Sequence, residues 1–314
     1  MYILTDQEIE VAVRLLQEGE IVAFPTETVY GLGAAIFNPS AIEKIYRAKN
    51  RPADNPLIAH IADFCQADRI AHSLPREFFL LAEHFWPGPL TMLAFKQPEV
   101  PHLASAGLST IGLRMPSHPL ALRLIEAVGE PLVAPSANLS GKPSATCVSH
   151  VLQDFQGKIA AVIDGGDCRV GLESTVLDLT DPAGPIILRP GMITPEDLES
   201  IIGQEVRLYS VLEEKEKPRS PGMKYRHYAP EAIVSLYTDR KELERQWEQK
   251  PETCCVLAPS GTALRCPYLP LLPHTLYAEL RAADQKGYRR ILIFCDGEVL
   301  KNTALMNRLL KAAS

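Results

Sequence analysis

Polar and charged side chains stand where apolar runs of this chain end. The first group is Phe24-Pro25-Thr26-Glu27-Thr28-Val29-Tyr30-Gly31-Leu32-Gly33, with two threonine hydroxyls, a carboxylate and two glycines after an apolar run. Lys49-Asn50-Arg51-Pro52 follows at the end of a helical pattern and leads into Asn55-Pro56-Leu57-Ile58-Ala59-His60. Ile111-Gly112-Leu113-Arg114 is an apolar strand pattern ending in a guanidinium, a group suited to carboxylate or phosphate. Ala134-Pro135-Ser136-Ala137-Asn138-Leu139-Ser140-Gly141-Lys142-Pro143-Ser144 supplies hydroxyl, amide and backbone donors that can cradle an anion. Asp164-Gly165-Gly166, Glu173-Ser174-Thr175-Val176 and Leu188-Arg189-Pro190-Gly191 add single polar groups. Each stretch also has an ordinary reading: a turn, cations complementing a helix dipole, or a structural ion pair.

Common catalytic fingerprints are absent. Gly31-Leu32-Gly33-Ala34-Ala35-Ile36 lacks the third small residue of a dinucleotide loop, and Gly141-Lys142-Pro143 has Pro where a phosphate loop needs Ser or Thr. There is no His-Glu-x-x-His, Gly-x-Ser-x-Gly or EF-hand spacing. Seven cysteines without a Cys-x-x-Cys spacing resemble neither a disulfide framework nor a zinc site. His72, His84, His102 and His150 read as ordinary surface or core residues. The chemistry expected from such a set is positioning and charge stabilisation, without an enzyme nucleophile.

The elements that must position these groups are read from periodicity. Thr5-x-x-Glu8 has capping-box spacing and opens a helix toward Gly19. A strand is expected at Ile21 to Phe24, a loop at Pro25 to Gly33, and a helix from Pro39 toward Lys49. Further strands are expected at 57–61, 90–95, 111–114, 132–134, 160–163, 175–179 and 186–188, with helices at 118–128 and 145–152. The irregular gaps predict a mixed rather than a regular parallel sheet. Beyond Pro230, strand and helix alternate, as in a small parallel α/β domain. The expected organisation is 1–210, a linker at 211–232 around the charged run Glu213 to Lys217, and a second domain at 233–314.

With 314 residues, 46% of them hydrophobic, the chain is globular and long enough for two cores. The formal net charge of −6 divides into −10 for residues 1–210 and +4 for the rest, which argues against a protein whose main task is gripping nucleic acid. No apolar run reaches the roughly 20 residues of a spanning helix, and the acidic N-terminus does not read as a signal peptide. A cytoplasmic protein without membrane association is expected.

In order and content these motifs resemble the threonylcarbamoyl-adenylate synthase family, in its long two-domain form with a YrdC-like first domain. The resemblance runs from about Ile21 through Gly191, continues in Ser220-Pro221-Gly222-Met223-Lys224-Tyr225-Arg226-His227-Tyr228-Ala229-Pro230, and reaches Met306-Asn307-Arg308-Leu309. It implies an α/β fold, a twisted open mixed sheet with flanking helices, plus a smaller parallel, Rossmann-like C-terminal domain. It also implies a nucleotidyltransferase that makes threonylcarbamoyl-AMP and pyrophosphate from L-threonine, bicarbonate or CO2, and ATP. This is the first step of threonylcarbamoyladenosine modification of tRNA, so the tRNA threonylcarbamoyl-transfer machinery is the implied downstream partner; direct tRNA contact is left open. By resemblance, Thr28, His60, Arg114 and Ser174 line the threonine pocket. Lys49, Arg51, Asn55, Thr110, Ser136, Asn138, Ser144, Arg189 and Tyr225 hold ATP, with Lys49 and Arg51 assigned to catalysis. Mg2+ is expected to enter with ATP, with no protein metal cage.

Two alternatives use the same motifs. One is a module forming a carbamoyl-adenylate for metallocentre assembly; the other is a double-stranded RNA or ribosome-associated binding module. The composition of Ser220 to Pro230, with two prolines, two tyrosines, a histidine and cations, further suggests a lid over the nucleotide.

Overall fold

In the computed structural model, which describes residues 1–209 and 227–314, the central strands of the first two hundred residues bury both of their faces. Along Ile21–Phe24, Ile21 and Ala23 join one apolar cluster, with Ile42, Ile45, Phe78 and Phe155, while Val22 and Phe24 join another, with Ala12, Leu16, Leu124 and Ile125. This is the two-residue alternation of a strand covered by helices on both sides. The sheet so enclosed is mixed and runs in the order Tyr2–Leu4, Ala161–Ile163, Val22–Phe24, Gly31–Ala35, Leu132–Val133, Ile58–His60, Thr110–Arg114, Leu90–Lys96, Thr175–Asp178, Ile186–Arg189 and Arg207–Leu208. Ala71–His72 pairs alongside Leu90–Lys96.

The described residues divide into two compact units, 1–140 with 145–209, and 141–144 with 227–314. In the second unit four parallel strands lie in the order Ile233–Tyr237, Arg290–Phe294, Cys254–Ala258 and Leu269–Pro270. Its helices include Arg240–Gln249, Leu276–Gln285 and Thr303–Ala312, so the expected alternation forms a parallel α/β unit. The run Glu213 to Lys217, the segment Ser220 to Arg226 and Tyr225 within it lie outside the described residues.

Two local expectations change, and one strand stands where none was expected. The loop expected through Gly33 ends at Tyr30, because Gly31–Ala35 is a strand antiparallel to Val22–Phe24. Its glycines make room for a ring: a Cβ on Gly33 would stand 2.8 Å from Phe24 Cε1, and one on Gly31 would stand 3.1 Å from Phe24 Cζ. The helix expected at 145–152 forms instead at Val148–Phe155. Upstream of it the Ala145 carbonyl accepts from Tyr30 N at 2.8 Å, and His150 Nδ1 accepts from Thr146 N at 3.2 Å. Finally, Tyr2–Leu4 is an edge strand parallel to Ala161–Ile163, a pairing that no local pattern announces.

Candidate active site

The helix Pro39–Lys49 is started by Asn38, whose side chain accepts from Ala41 N, and by Pro39 at its first turn. Ile42, Ile45, Tyr46 and Lys49 fall on one buried face at helical spacing, so the last of them carries its ammonium inward and is 1% exposed. Lys49 Nζ donates to the Ser136 carbonyl at 2.6 Å and to the Asn138 carbonyl, and the Lys49 carbonyl accepts from Ser140 N at 3.0 Å. One charge thereby ties the helix end to the loop after the strand Leu132–Val133. Just beyond, Arg51 donates through Nε to the Asn55 carbonyl at 3.1 Å and through Nη2 to the Pro56 carbonyl at 2.7 Å. Among the described residues, Asn55 Oδ1 and Ser140 Oγ are buried without a hydrogen-bond partner. Orphaned polar atoms cost stability unless something binds them, so two of them flanking Lys49 and Arg51 point to a ligand.

The strands Ile58–His60 and Thr110–Arg114 run parallel in a register that sets His60 beside Arg114. Arg114 is 4% exposed; its Nη2 meets Glu27 Oε1 at 2.7 Å and its Nε donates to the Gly88 carbonyl at 3.3 Å. The second Glu27 oxygen accepts from Ser117 N at 3.1 Å. Glu27 is thus the counter-ion that aims Arg114, a role absent from the sequence reading, which noted the carboxylate without a partner. Burial, followed by the nearby Arg114 charge, pushes the His60 imidazole down to about 3. His60 is therefore neutral near pH 7 and serves as a packing and hydrogen-bonding group, not as a base; its ring meets Phe24 edge-on at 5.8 Å.

Ser174 and Arg189 meet each other. Arg189 donates to the Ser174 hydroxyl at 3.0 Å and to its carbonyl at 3.1 Å, and the same hydroxyl lies 2.8 Å from that of Thr91. Thr91, fully buried, is a second member that the sequence reading passed over. Thr28 is fully buried, with its hydroxyl 2.9 Å from that of Thr26. Thr26 in turn donates to the Val29 carbonyl at 2.6 Å, so this pair braces the loop carrying Glu27. Thr110 begins the strand that Arg114 ends, and the two therefore stand about 13 Å apart along it. Ser144, fully buried, belongs to the short segment 141–144 grouped with the second unit.

Because the His60 pKa is lower in the folded chain than its ordinary value of 6.5, the unfolded chain binds more protons below pH 6.5. The stability this neutral histidine contributes is present above pH 6.5 and falls with acid by about 1.4 kcal/mol per pH unit until the folded pKa is reached. Urea unfolding of wild type and His60→Gln between pH 7 and pH 5 should show the steeper loss in wild type; parallel curves would contradict a buried neutral imidazole.

Among the described residues no cluster of three or more His, Cys, Asp or Glu could hold a metal ion, and no helix is long and apolar enough to cross a membrane. Residues 14–191 match the Sua5, YciO and YrdC family model, described as telomere recombination. Residues 193–314 match the model for the C-terminal domain of threonylcarbamoyl-AMP synthase. The chain is 44% identical to threonylcarbamoyl-AMP synthase of Pyrococcus abyssi, with 99% of this chain and 95% of that protein covered. It is 43% identical to the Bacillus subtilis protein of the same name, covering 98% and 93%. The crystal structure of P. abyssi Sua5 complexed with L-threonine superposes with a TM-score of 0.90 at 41% identity, covering 99% of this chain and 97% of that one. With both family models matched in sequence order and relatives similar from end to end, the chain belongs to the Sua5–YciO–YrdC family, among its two-domain threonylcarbamoyl-AMP synthases.

Proposed function

We propose that the two ends of this site divide the substrates of threonylcarbamoyl-AMP synthesis: Lys49, Arg51, Asn55, Ser136 and Asn138 take ATP, and His60, Arg114 and Ser174 take L-threonine. The observation that carries the reading is the buried Lys49, whose carbonyl accepts from Ser140 N, together with two polar atoms that have no partner among the described residues, Ser140 Oγ and, on the residue whose carbonyl Arg51 holds, Asn55 Oδ1. An amide oxygen can only accept, so Asn55 suits an adenine amino group or a ribose hydroxyl rather than a phosphate. Lys49 and Arg51 supply positive charge for the phosphates, and Arg114 supplies it for the threonine carboxylate.

The threonine amine adds to CO2, loses a proton and becomes a carbamate. A carbamate oxygen then attacks the α-phosphorus of ATP, the bond to the bridging oxygen of the β-phosphate breaks, and pyrophosphate leaves. Both nucleophiles belong to substrates, so the protein's part is to hold the carbamate in line and to stabilise charge growing on phosphate oxygens. Mg2+ would ride on the phosphates with water completing its shell, an arrangement that asks for no carboxylate cluster. Thr28 acts through the loop it braces, Arg189 acts through Ser174, and Thr110, Ser144 and Tyr225 complete the assigned nucleotide set. We place the protein in the cytoplasm, handing its unstable product to the tRNA threonylcarbamoyl-transfer machinery. Residues 1–210 would be the catalytic domain, 211–232 a linker with the lid, and 233–314 the accessory domain.

Pyrophosphate release from ATP and Mg2+ should require both L-threonine and bicarbonate. L-Serine should support it about 10- to 200-fold less well in kcat/KM, the range one methyl group commands in an apolar pocket. Release that ignores the amino acid would overturn the assignment.

A further inference from the structure

Thr91 stands in the sheet row that runs from Arg114 to Arg189. In the antiparallel pairing of Leu90–Lys96 with Thr110–Arg114, Met92 lies opposite Leu113 and Leu93 opposite Gly112, so the next position brings Thr91 level with Arg114. On its other side Thr91 pairs with Val176, and Val176 pairs with Arg189. Residues directly opposite one another project to the same face of a sheet, so Arg114, Thr91 and Arg189 share one. Gly112 makes room there: a Cβ on it would stand 3.0 Å from the Thr91 methyl carbon. The methyl therefore lies on the Gly112 side, and the hydroxyl is left for that of Ser174, 2.8 Å away. Among the described residues this is the only hydrogen-bond partner of the Thr91 hydroxyl. Ser174 Oγ already accepts from Arg189 Nη2 at 3.0 Å, and a guanidinium can only donate. A hydroxyl has one proton to give and two places to accept. With Thr91 donating as well, both places on Ser174 are filled, and its own proton has no acceptor among the described residues. Both residues are buried, so that proton is an unpaired donor until an acceptor is bound. The opposite direction would strand the proton on fully buried Thr91 and leave Ser174 nothing to give.

We propose that Thr91 is a positioning residue for the amino-acid substrate: by donating to Ser174 it commits that hydroxyl to give its proton to an oxygen of L-threonine. Arg189 and Thr91 together make Ser174 a donor only, so at this point the pocket selects an acceptor oxygen and not an amine. This inference rests on the assignment of Ser174 to L-threonine. The test compares pyrophosphate release in full-length wild type, Thr91→Val, Thr91→Ser, Ser174→Ala and the double variant Thr91→Val with Ser174→Ala. Valine keeps the shape and the methyl against Gly112 and removes only the hydroxyl. Thr91→Val should raise the KM for L-threonine about 3- to 10-fold, the effect of one hydrogen bond, with the KM for ATP within about twofold. Thr91→Ser keeps the donor and should stay within about twofold of wild type for both substrates. In the Ser174→Ala background, Thr91→Val should add nothing further to the threonine KM, because a residue that acts through Ser174 has nothing left to position. A merely structural threonine would not show that coupling. An unchanged threonine KM in Thr91→Val overturns the proposal, as does an equal rise in both backgrounds, which marks packing alone. So does a Thr91→Val protein that is unfolded at the assay temperature, or a Thr91→Ser protein with a raised threonine KM, since either gives Thr91 a role other than the donated proton. Ser174→Ala with a wild-type threonine KM removes the assignment beneath the inference, and the inference with it. Wild type without threonine-dependent release would instead remove the functional reading itself.

Discussion

Arg114→Ala should abolish saturable use of L-threonine and destabilise the fold at the same time. In the wild type the guanidinium lies buried against the equally buried Glu27 carboxylate at 2.7 Å. Removing one partner of such a pair leaves an uncompensated charge inside, at a cost of about 3 to 5 kcal/mol. Losing the partner of a desolvated substrate carboxylate costs roughly 2 to 5 kcal/mol in binding, or 30- to several thousand-fold. The two effects separate in the double variant Arg114→Met with Glu27→Gln. The double variant leaves no uncompensated charge inside, so chemical denaturation should recover part of the stability lost in Arg114→Ala while threonine use does not recover. Near-normal threonine KM in the double variant would reduce Arg114 to an internal ion pair.

Lys49→Met should lower kcat/KM for ATP by about 100- to 1,000-fold, the effect of losing one preorganised charge at a phosphate whose negative charge grows in the transition state. Met keeps most of the volume on the buried helix face and removes the ammonium. It also releases the Ser136 and Asn138 carbonyls that Lys49 holds, at about 1 to 3 kcal/mol for each buried acceptor left unsatisfied. Lys49→Arg keeps the charge with a bulkier head and should recover only part of the activity, since a planar fork cannot converge on both carbonyls as a compact ammonium does. Initial rates over an ATP titration decide the matter: Lys49→Met within threefold of wild type would leave Lys49 as a loop tether alone.

How much was legible without coordinates can be judged from the same residues. The helix ending in Lys49 follows from Asn38, Pro39 and the spacing of Ile42, Ile45 and Tyr46, and that spacing alone already puts the lysine on the inward face. The parallel C-terminal unit follows from alternating strand and helix patterns between Ile233 and Ala312. The reaction was implied by motif order, which fits the family models and relatives matched here. What local pattern could not reach is every partnership across long separations. Glu27 meets Arg114 across 87 positions and Thr91 meets Ser174 across 83. Gly31 and Gly33 looked like loop residues until the Phe24 ring filled the space their missing side chains leave.

The sequence by itself determined most of the helices and strands, though not Tyr2–Leu4 or Gly31–Ala35, as well as which faces are apolar and which side chains have the chemistry for a carbamate, a carboxylate and a nucleotide. These properties depend on neighbours within a few residues, where backbone preference and side-chain periodicity act directly. Tertiary structure alone decided that Arg114 is already engaged by Glu27, that Ser174 is held by Arg189, that His60 is neutral, and that Gly141–Ser144 belongs with the C-terminal unit. Each of those follows from burial and from which groups a folded sheet brings within about 3 Å, the range at which charge and hydrogen-bond geometry select a partner.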